Sequence, residues 1–332
     1  MKKTICLSVL LAGLSLAMAP FASAKQHAFI WDSVHGMKDL GTLGGKNSYA
    51  TGINDLGEVV GYSDFGNGTH AFTWTRAGGM VDIGIFFTGQ ASNQAASINE
   101  QGAIAGTGTR IVTGNDVPAF FQPPNTWTPL PNSPGYYLNF SFGINNSNQL
   151  TGQFYTDPVN AFFWDPANSI FFFLPTLPGG FHTVGNSIND FGHITGTGST
   201  PSGSFDALLW TAGGGSQDIG SLNGSGYTAG GAVNNNDEVV GYNSPELAGF
   251  YWSQATGLLP LQSLGGTMSA AFAINRHGQI AGFSSTADGT IHATLWSGHA
   301  NAPQDLGTLG GTNSYARGVN NRGQVVGYSD KN

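Results

Sequence analysis

The feature that most narrows the fold is a two-residue pair, Ile/Val-Asn, recurring at Asn54, Asn99, Asn145, Asn189, Asn234, Asn275 and Asn320. The intervals are 45, 46, 44, 45, 41 and 45 residues, a beat that chance does not hold over six steps. A second phrase, close to H-A-F-x-W, keeps the same beat. It reads "HAFIW" (27–31), "HAFTW" (70–74), "PAFFQ" (118–122), "NAFFW" (160–164), "DALLW" (206–210), "AGFYW" (248–252) and "HATLW" (292–296). Such a chain is an array of one small unit that buries its apolar face only against copies of itself.

Each unit reads as four short strands, a to d. In the first complete unit these are "SYATGIN", "EVVGYS", "HAFTWT" and "MVDIG". Between a and b stands Asn-x-x-Gly, as in Asn54/Gly57, Asn99/Gly102, Asn189/Gly192, Asn275/Gly278 and Asn320/Gly323. An Asn there bonds forward to the turn backbone and the fourth position calls for positive φ, so the spacing predicts a type I turn with a glycine bulge. Asn148 and Asp237 take the fourth position in the other two units, and both residue types tolerate the left-handed conformation.

Counting back from the Asn, alternate positions of strand a are small in every unit, from Ala50 and Gly52 through Ala316 and Gly318. This predicts that strand a is innermost and that Gly, Ala and Ser line a crowded axis. Strands c and d carry the Phe, Trp, Leu and Ile that fill the space between sheets. The expected fold is all-β: a seven-bladed β-propeller with four antiparallel strands per blade. The segment "SYARGVNNRGQVVGYSD" at 314–330 supplies an a and a b, whereas "HAFIW" at 27–31 is a c without them. The N- and C-terminal strands are therefore expected to share one blade and close the ring; an open solenoid is the alternative.

Residues 1–24 read as a cleaved export signal. Lys2 and Lys3 precede the apolar run "ICLSVLLAGLSLAMA", and Ala22-Ser23-Ala24 offers a cleavage site before Lys25. The apolar run is too short for a bilayer, and no later segment is expected to cross one. Residues 25–332 would then be a single propeller domain, secreted or periplasmic. Cys6, the only cysteine, lies in this leader, so the mature chain would have no thiol chemistry and no disulfide. It would keep nine Lys/Arg against nineteen Asp/Glu, which disfavours nucleic acid and anionic membranes as partners. With 12% aromatic and 9% charged residues, intrinsic disorder is excluded.

The phrases "DLGTLGG" (39–45 and 305–311, partial at 82–84, 218–222 and 263–266), "INxxGxVVG" and "HAFxW" resemble the HAF repeats of bacterial extracellular repeat proteins. The resemblance covers essentially the whole mature chain. It weakens in the third unit, where Gln122 replaces Trp, and in the fourth, which has "FFFLPTLPGG" in place of the DLG phrase. It implies export and a repeat fold, and no known reaction.

No catalytic motif is present: no H-E-x-x-H, G-x-S-x-G, P-loop or EF-hand loop. His27, His70 and His292 are read as folding residues rather than metal ligands, because the other four units carry Pro, Asn, Asp and Ala there. The Asp of the DLG phrase (Asp39, Asp82, Asp218, Asp305) is read as a turn cap. No catalytic residue, metal site or cofactor is assigned, and a Ca²⁺ site among the loop acids is left open. In an up-and-down blade the b–c loops and d–a crossings share one face, which gathers Asp64, Asp116, Asp157, Glu246 and Asp288, with Asp206 and Asp330 beside them. The same face gathers Phe86, Phe87, Tyr136, Tyr137, Phe181, His182 and Tyr227. Acids interleaved with exposed rings suit a glycan or cationic peptide. The expected function is a monomeric, non-enzymatic, exported propeller that presents these loops to a glycan or protein partner. A propeller-fold polysaccharide hydrolase or lyase is the alternative, and it needs a pair of close carboxylates that the sequence does not identify.

Overall fold

The computed structural model describes residues 24–84, 90–110, 116–122, 126–130, 140–155, 158–211, 215–224 and 226–332. Regular structure there is β apart from one 3₁₀ turn at Leu222–Gly224. The leader lies outside the described residues up to position 23. Among the described residues no helix is long and apolar enough to cross a membrane.

The chain enters on a hairpin, β1 (Lys25–Asp32) and β2 (Gly36–Gly41). The first complete unit then forms β3 (Ser48–Ile53), β4 (Val59–Phe65), β5 (Gly68–Thr75) and β6 (Gly79–Asp82), paired antiparallel in that order. The pattern repeats as β7 (Gln90–Ile98), β8 (Ile104–Arg110), β9 (Asp116–Gln122) and β10 (Thr126–Pro129). It repeats again as β11 (Phe140–Ile144), β12 (Leu150–Tyr155), β13 (Val159–Asp165) and β14 (Ile170–Phe173). Next come β15 (Thr183–Ile188), β16 (Ile194–Ser199), β17 (Phe205–Trp210) and β18 (Ser216–Gly220). A single parallel bridge, Phe205↔Tyr227, joins that group to β19 (Tyr227–Val233), β20 (Val239–Ser244), β21 (Ala248–Ser253) and β22 (Gly257–Pro260). After β23 (Gly265–Ile274), β24 (Ile280–Thr286), β25 (Ile291–Trp296) and β26 (Pro303–Asp305), the chain makes β27 (Gly310–Val319) and β28 (Val325–Lys331). These last two join the entering hairpin in the order β2-β1-β28-β27, with β1 antiparallel to β28 from Lys25↔Lys331 to Trp31↔Val325.

Strand c supplies the filling between sheets, as its composition requires. Phe72 and Trp74 pack with Ile30, Leu40 and Val326 of the neighbouring sheet, and Phe29 and Trp31 pack with Leu295 and Leu306. Fully burying such a ring contributes about 1.5–3 kcal/mol. The buried indoles keep a polar partner: Trp210 Nε1 donates to the Pro175 carbonyl and Trp296 Nε1 to the Gln262 carbonyl, both at 2.8 Å.

The Ile/Val-Asn pair explains how neighbouring units hold together. Each of these Asn side chains is buried, at 2–5% exposure. Its Oδ1 accepts the backbone N–H groups two and four residues on, as in Asn54 with Leu56 (3.1 Å) and Glu58 (3.0 Å), which fixes the turn. Its Nδ2 donates to the main-chain oxygen of the Asn in the next unit. These bonds run from Asn54 to Asn99, Asn145, Asn189, Asn234, Asn275 and Asn320 at 2.9–3.1 Å, and Asn320 donates back to Asn54 at 3.0 Å. The second proton on Nδ2 goes to the side chain four residues on where that residue is Glu58, Gln149, Glu238, Gln279 or Gln324.

The two remaining units have Ala103 and His193 at that place, and both draw the missing acceptor from the following unit. Asn99 donates to Asn148 Oδ1 at 2.7 Å, and Asn189 donates to Asp237 Oδ1 at 3.0 Å. Asn148 and Asp237 are the two residues that replace the turn glycine, with φ of 59° and 58°. They accept the strain of a left-handed backbone, as expected from their type, and in doing so satisfy a buried amide that would otherwise keep an unpaired proton.

Candidate binding site

Strand a departs from the regular alternation predicted for it. In every unit the register slips at the third residue before the Asn, as between Ala50 and Gly52 or Ala316 and Gly318. The same slip occurs in the other five units. Thr51, Ala96, Phe142, Asn186, Gly231, Phe272 and Arg317 are the extra residues, one β-bulge per unit. A bulge bends the strand and re-aims the side chain it carries.

The bulge corrects the expectation that small residues line the axis. Because it breaks the pleat, the two small positions face opposite neighbours. A Cβ on Gly185 or Gly230 would meet Thr151 or Thr195 of the preceding sheet, whereas one on Gly52 or Gly143 would meet Ser97 or Ser187 of the following sheet. The small residues are therefore spacers between sheets. The bulge also explains the Gly of the "VVG" phrase in strand b. A Cβ on Gly61, Gly196, Gly241, Gly282 or Gly327 would lie 1.9 Å from the carbonyl oxygen of Tyr49, Val184, Ala229, Ala270 or Tyr315 respectively, where no side chain fits.

The first and second strands of four sheets carry an aromatic belt. Tyr49 stacks on Tyr62 (ring centroids 4.9 Å), Tyr49 meets Tyr328 edge-on (5.1 Å), and Tyr328 stacks on Tyr315 (5.0 Å). Tyr315 meets Phe283 (5.3 Å), Phe283 meets Phe272 (5.8 Å), and Phe272 meets Tyr242 (5.8 Å). The run crosses four sheets, and all its rings but Phe283 remain half-buried rather than sealed. Burial raises the hydroxyl pKa of Tyr62 and Tyr315 to about 12 and also raises Tyr49 and Tyr242. At the cross-strand pairs equivalent to Tyr49/Tyr62, three units have Gln94/Thr107, Phe140/Gln153 and Val184/Thr197, and Phe140 is the one ring among these six residues.

Arg317 lies against this belt. Its guanidinium carbon is 4.2 Å from the Phe272 ring centroid and 5.6 Å from that of Tyr328, and Nη2 donates to the Tyr328 hydroxyl at 3.2 Å. Its charge also counteracts the effect of burial on Tyr62, Tyr242 and Tyr315, which three different sheets carry. One side chain reaches all three only from the space they have in common.

The predicted loop residues separate into two sets. Phe181, His182 and Tyr227 come together: Phe181 contacts His182 (4.5 Å), His182 stacks on Phe205 (6.4 Å), and Phe205 contacts Tyr227 (5.8 Å). Tyr227 and Tyr242 raise or lower one another's hydroxyl pKa through their proximity, which carries the run towards the belt. The acids do not converge. Asp64 Oδ2 accepts the backbone and side-chain N–H of Asn47, and Asp330 Oδ2 those of Asn313, so both pin a d–a crossing to strand b. Asp116 is buried against Thr109 Oγ1, and burial pushes its carboxyl up. Asp288 is held down at about 2 by the hydroxyl of Thr286 and then by Thr290. Glu246 is exposed and accepts from Asn243 Nδ2 at 3.2 Å. Phe86, Phe87, Tyr136, Tyr137 and Asp157 lie outside the described residues.

The HAF and DLG phrases prove to be one device. His27, His70 and His292 contact the carboxylates of Asp39, Asp82 and Asp305 at 2.8–2.9 Å across the c–d pair. Each carboxylate also accepts the N–H two residues on, from Gly41, Gly84 or Gly307, and so caps the turn. The fourth DLG aspartate, Asp218, caps Gly220 in the same way but faces Asp206 in the His position. Burial and then the Asp218 charge raise the Asp206 carboxyl. The signal available in sequence was that the three His occur only in units that carry the Asp, twelve or thirteen residues on.

No family model matches the chain, and no curated protein matches it. Solved structures do. The putative TolB from Agrobacterium tumefaciens aligns with a TM-score of 0.52 at 13% identity, over 92% of this chain and 98% of that one. The virginiamycin B lyase from Staphylococcus aureus gives 0.53 at 9% identity, over 84% and 94%. The β-propeller domain of the Trilobed protease from Pyrococcus furiosus gives 0.55 at 9% identity, over 87% and 94%. At such identities the likeness is one of fold, and the fold is a β-propeller built from sheets of four antiparallel strands.

Proposed function

We propose that this chain is an exported, non-enzymatic, seven-bladed β-propeller of the HAF-repeat kind, and that it binds a glycan on the aromatic belt of its axial space. The seven-unit ring is supported by the antiparallel register of β1 with β28 and by the Asn bonds that return from Asn320 to Asn54. Export rests on the leader. The observation that carries the binding role is the continuous run of rings from Tyr62 to Tyr242, all of them half-buried except Phe283. Flat rings stack on the C–H faces of sugars, and tyrosine hydroxyls at their edges hydrogen-bond sugar hydroxyls.

The experiment is a thermal-unfolding screen of residues 25–332 against a panel of oligosaccharides. A sugar at 100 times its dissociation constant adds about 2.7 kcal/mol to the folded state. One sugar class should raise the transition temperature, and Tyr49→Ala should abolish the rise. A flat response to the whole panel sinks the glycan reading.

A further inference from the structure

Arg317 is the feature that a purely neutral ligand leaves unexplained. The chain carries a formal net charge of −8, yet among the described residues Arg317 forms no ion pair. The Lys and Arg side chains that are seen in ion pairs, Arg76 and Lys331, hold Asp32 and Asp39 near the surface. The acids whose charge acts on the belt tyrosines, Asp64 and Asp330, are engaged by Asn47 and Asn313. Arg317 lies four residues further along its strand than Asn313, about 13 Å at the rise of a strand. A half-buried guanidinium without a carboxylate is costly unless something supplies one.

Its surroundings fix what that something can be. The guanidinium carbon lies over the Phe272 ring, and its N–H groups point outward in the guanidinium plane. One edge donor is used on Tyr328. The edge suits a planar oxyanion, and the neighbouring rings of Tyr328, Tyr315 and Phe272 offer stacking faces for the body that bears it.

We infer that Arg317, with Phe272 and Tyr328, forms a binding site for a carboxylate, and that the glycan taken by the belt is an acidic one of the uronate class. The inference rests on the belt being a binding surface. Three probes separate the two ideas by calorimetric titration of wild type, R317Q and R317K: trigalacturonate, its fully methyl-esterified form, and benzoate. Trigalacturonate should bind wild type at least tenfold more tightly than the ester, R317Q should erase that ratio, and R317K should restore part of it. The transition temperature of each variant shows that it is folded, and Y328F, which keeps the ring, should weaken the acid more than the ester. Equal binding of acid and ester overturns the carboxylate site and leaves the glycan reading standing. Binding of benzoate alone, lost in R317Q, upholds the carboxylate site and overturns the glycan reading. Binding of none of the three overturns the inference.

Discussion

Two sets of seven residues lie three positions apart on the innermost strands, and they behave as opposites. The Asn set is the same residue throughout, buried, with both side-chain groups engaged by backbone. The bulge set is Thr, Ala, Phe, Asn, Gly, Phe and Arg, turned out of the ladder. The constant set is where the units touch and lock, so any departure is felt by two of them. The varied set sits where the bulge re-aims the side chain, and each unit uses it differently: Thr51 and Asn186 donate to the Ala95 and Gly230 carbonyls of the next sheet, whereas Arg317 lies over Phe272. In this propeller the constant and the varied contacts are separate positions on one strand.

Five experiments test how these positions divide the work. The largest effect is expected from Gly241→Ala, whose Cβ would fall 1.9 Å from the Ala229 carbonyl oxygen. Expelling the bulge should cost about 3 kcal/mol or more in chemical denaturation. A loss below 1 kcal/mol would mean that the bulge is not built into the frame. Next comes Asn145→Ala, which strips the N–H groups of Ser147 and Gln149 of their acceptor and breaks the bond to Asn189. About 2–4 kcal/mol should be lost.

A double-mutant cycle tests the compensation. Asn148→Gly alone should cost about 1 kcal/mol, because Asn99 loses its second acceptor, and Ala103→Gln should recover it. Additive effects would show that the two replacements are unconnected. In the varied set, Arg317→Thr copies the residue found at Thr51 and should change stability by no more than about 1 kcal/mol while removing any carboxylate preference.

The smallest effect concerns Asp206. Its pKa is raised above the unfolded value of 3.8, so the folded state binds its proton more tightly. The sign follows: its stabilising contribution is full below the unfolded value and is lost as pH rises through the raised one. Asp206→His should reverse this by forming a fourth His–Asp pair with Asp218. The gain at pH 6 should be less than about 1 kcal/mol, because the pair is half-exposed and screened. A stability profile with the same slope in wild type and Asp206→Asn would show that the facing carboxylates do not interact.

Much of the frame was legible in the sequence. The Asn-x-x-Gly turn gave the strand boundaries, and the left-handed positions at Asn148 and Asp237 followed from residue type. The bulge was not anticipated, since alternation read along a strand assumes an unbroken pleat. Its trace was a glycine inside strand b of every unit, a residue that weakens a strand and marks close approach of another backbone. The belt was missed for the same reason, because small residues at alternate positions concealed Tyr49, Tyr315 and Arg317 between and beside them. The loop acids were read by type alone, and type does not show that Asn47 and Asn313 already hold two of them.

The pairing of β1 with β28 also sets a clock. The Gln26–Asp330 hydrogen bond spans 304 residues, so β1 is made long before its partner exists. At typical elongation rates the wait is about 15–60 seconds. During it the backbone edge that β28 will cover is bare on a strand containing Phe29 and Ile30, which end at 0% and 3% exposure. A free edge of that kind accepts any matching strand, including β28 of another copy made nearby. The strand that pairs with the far end of the chain is thus the one that must be kept from strangers longest.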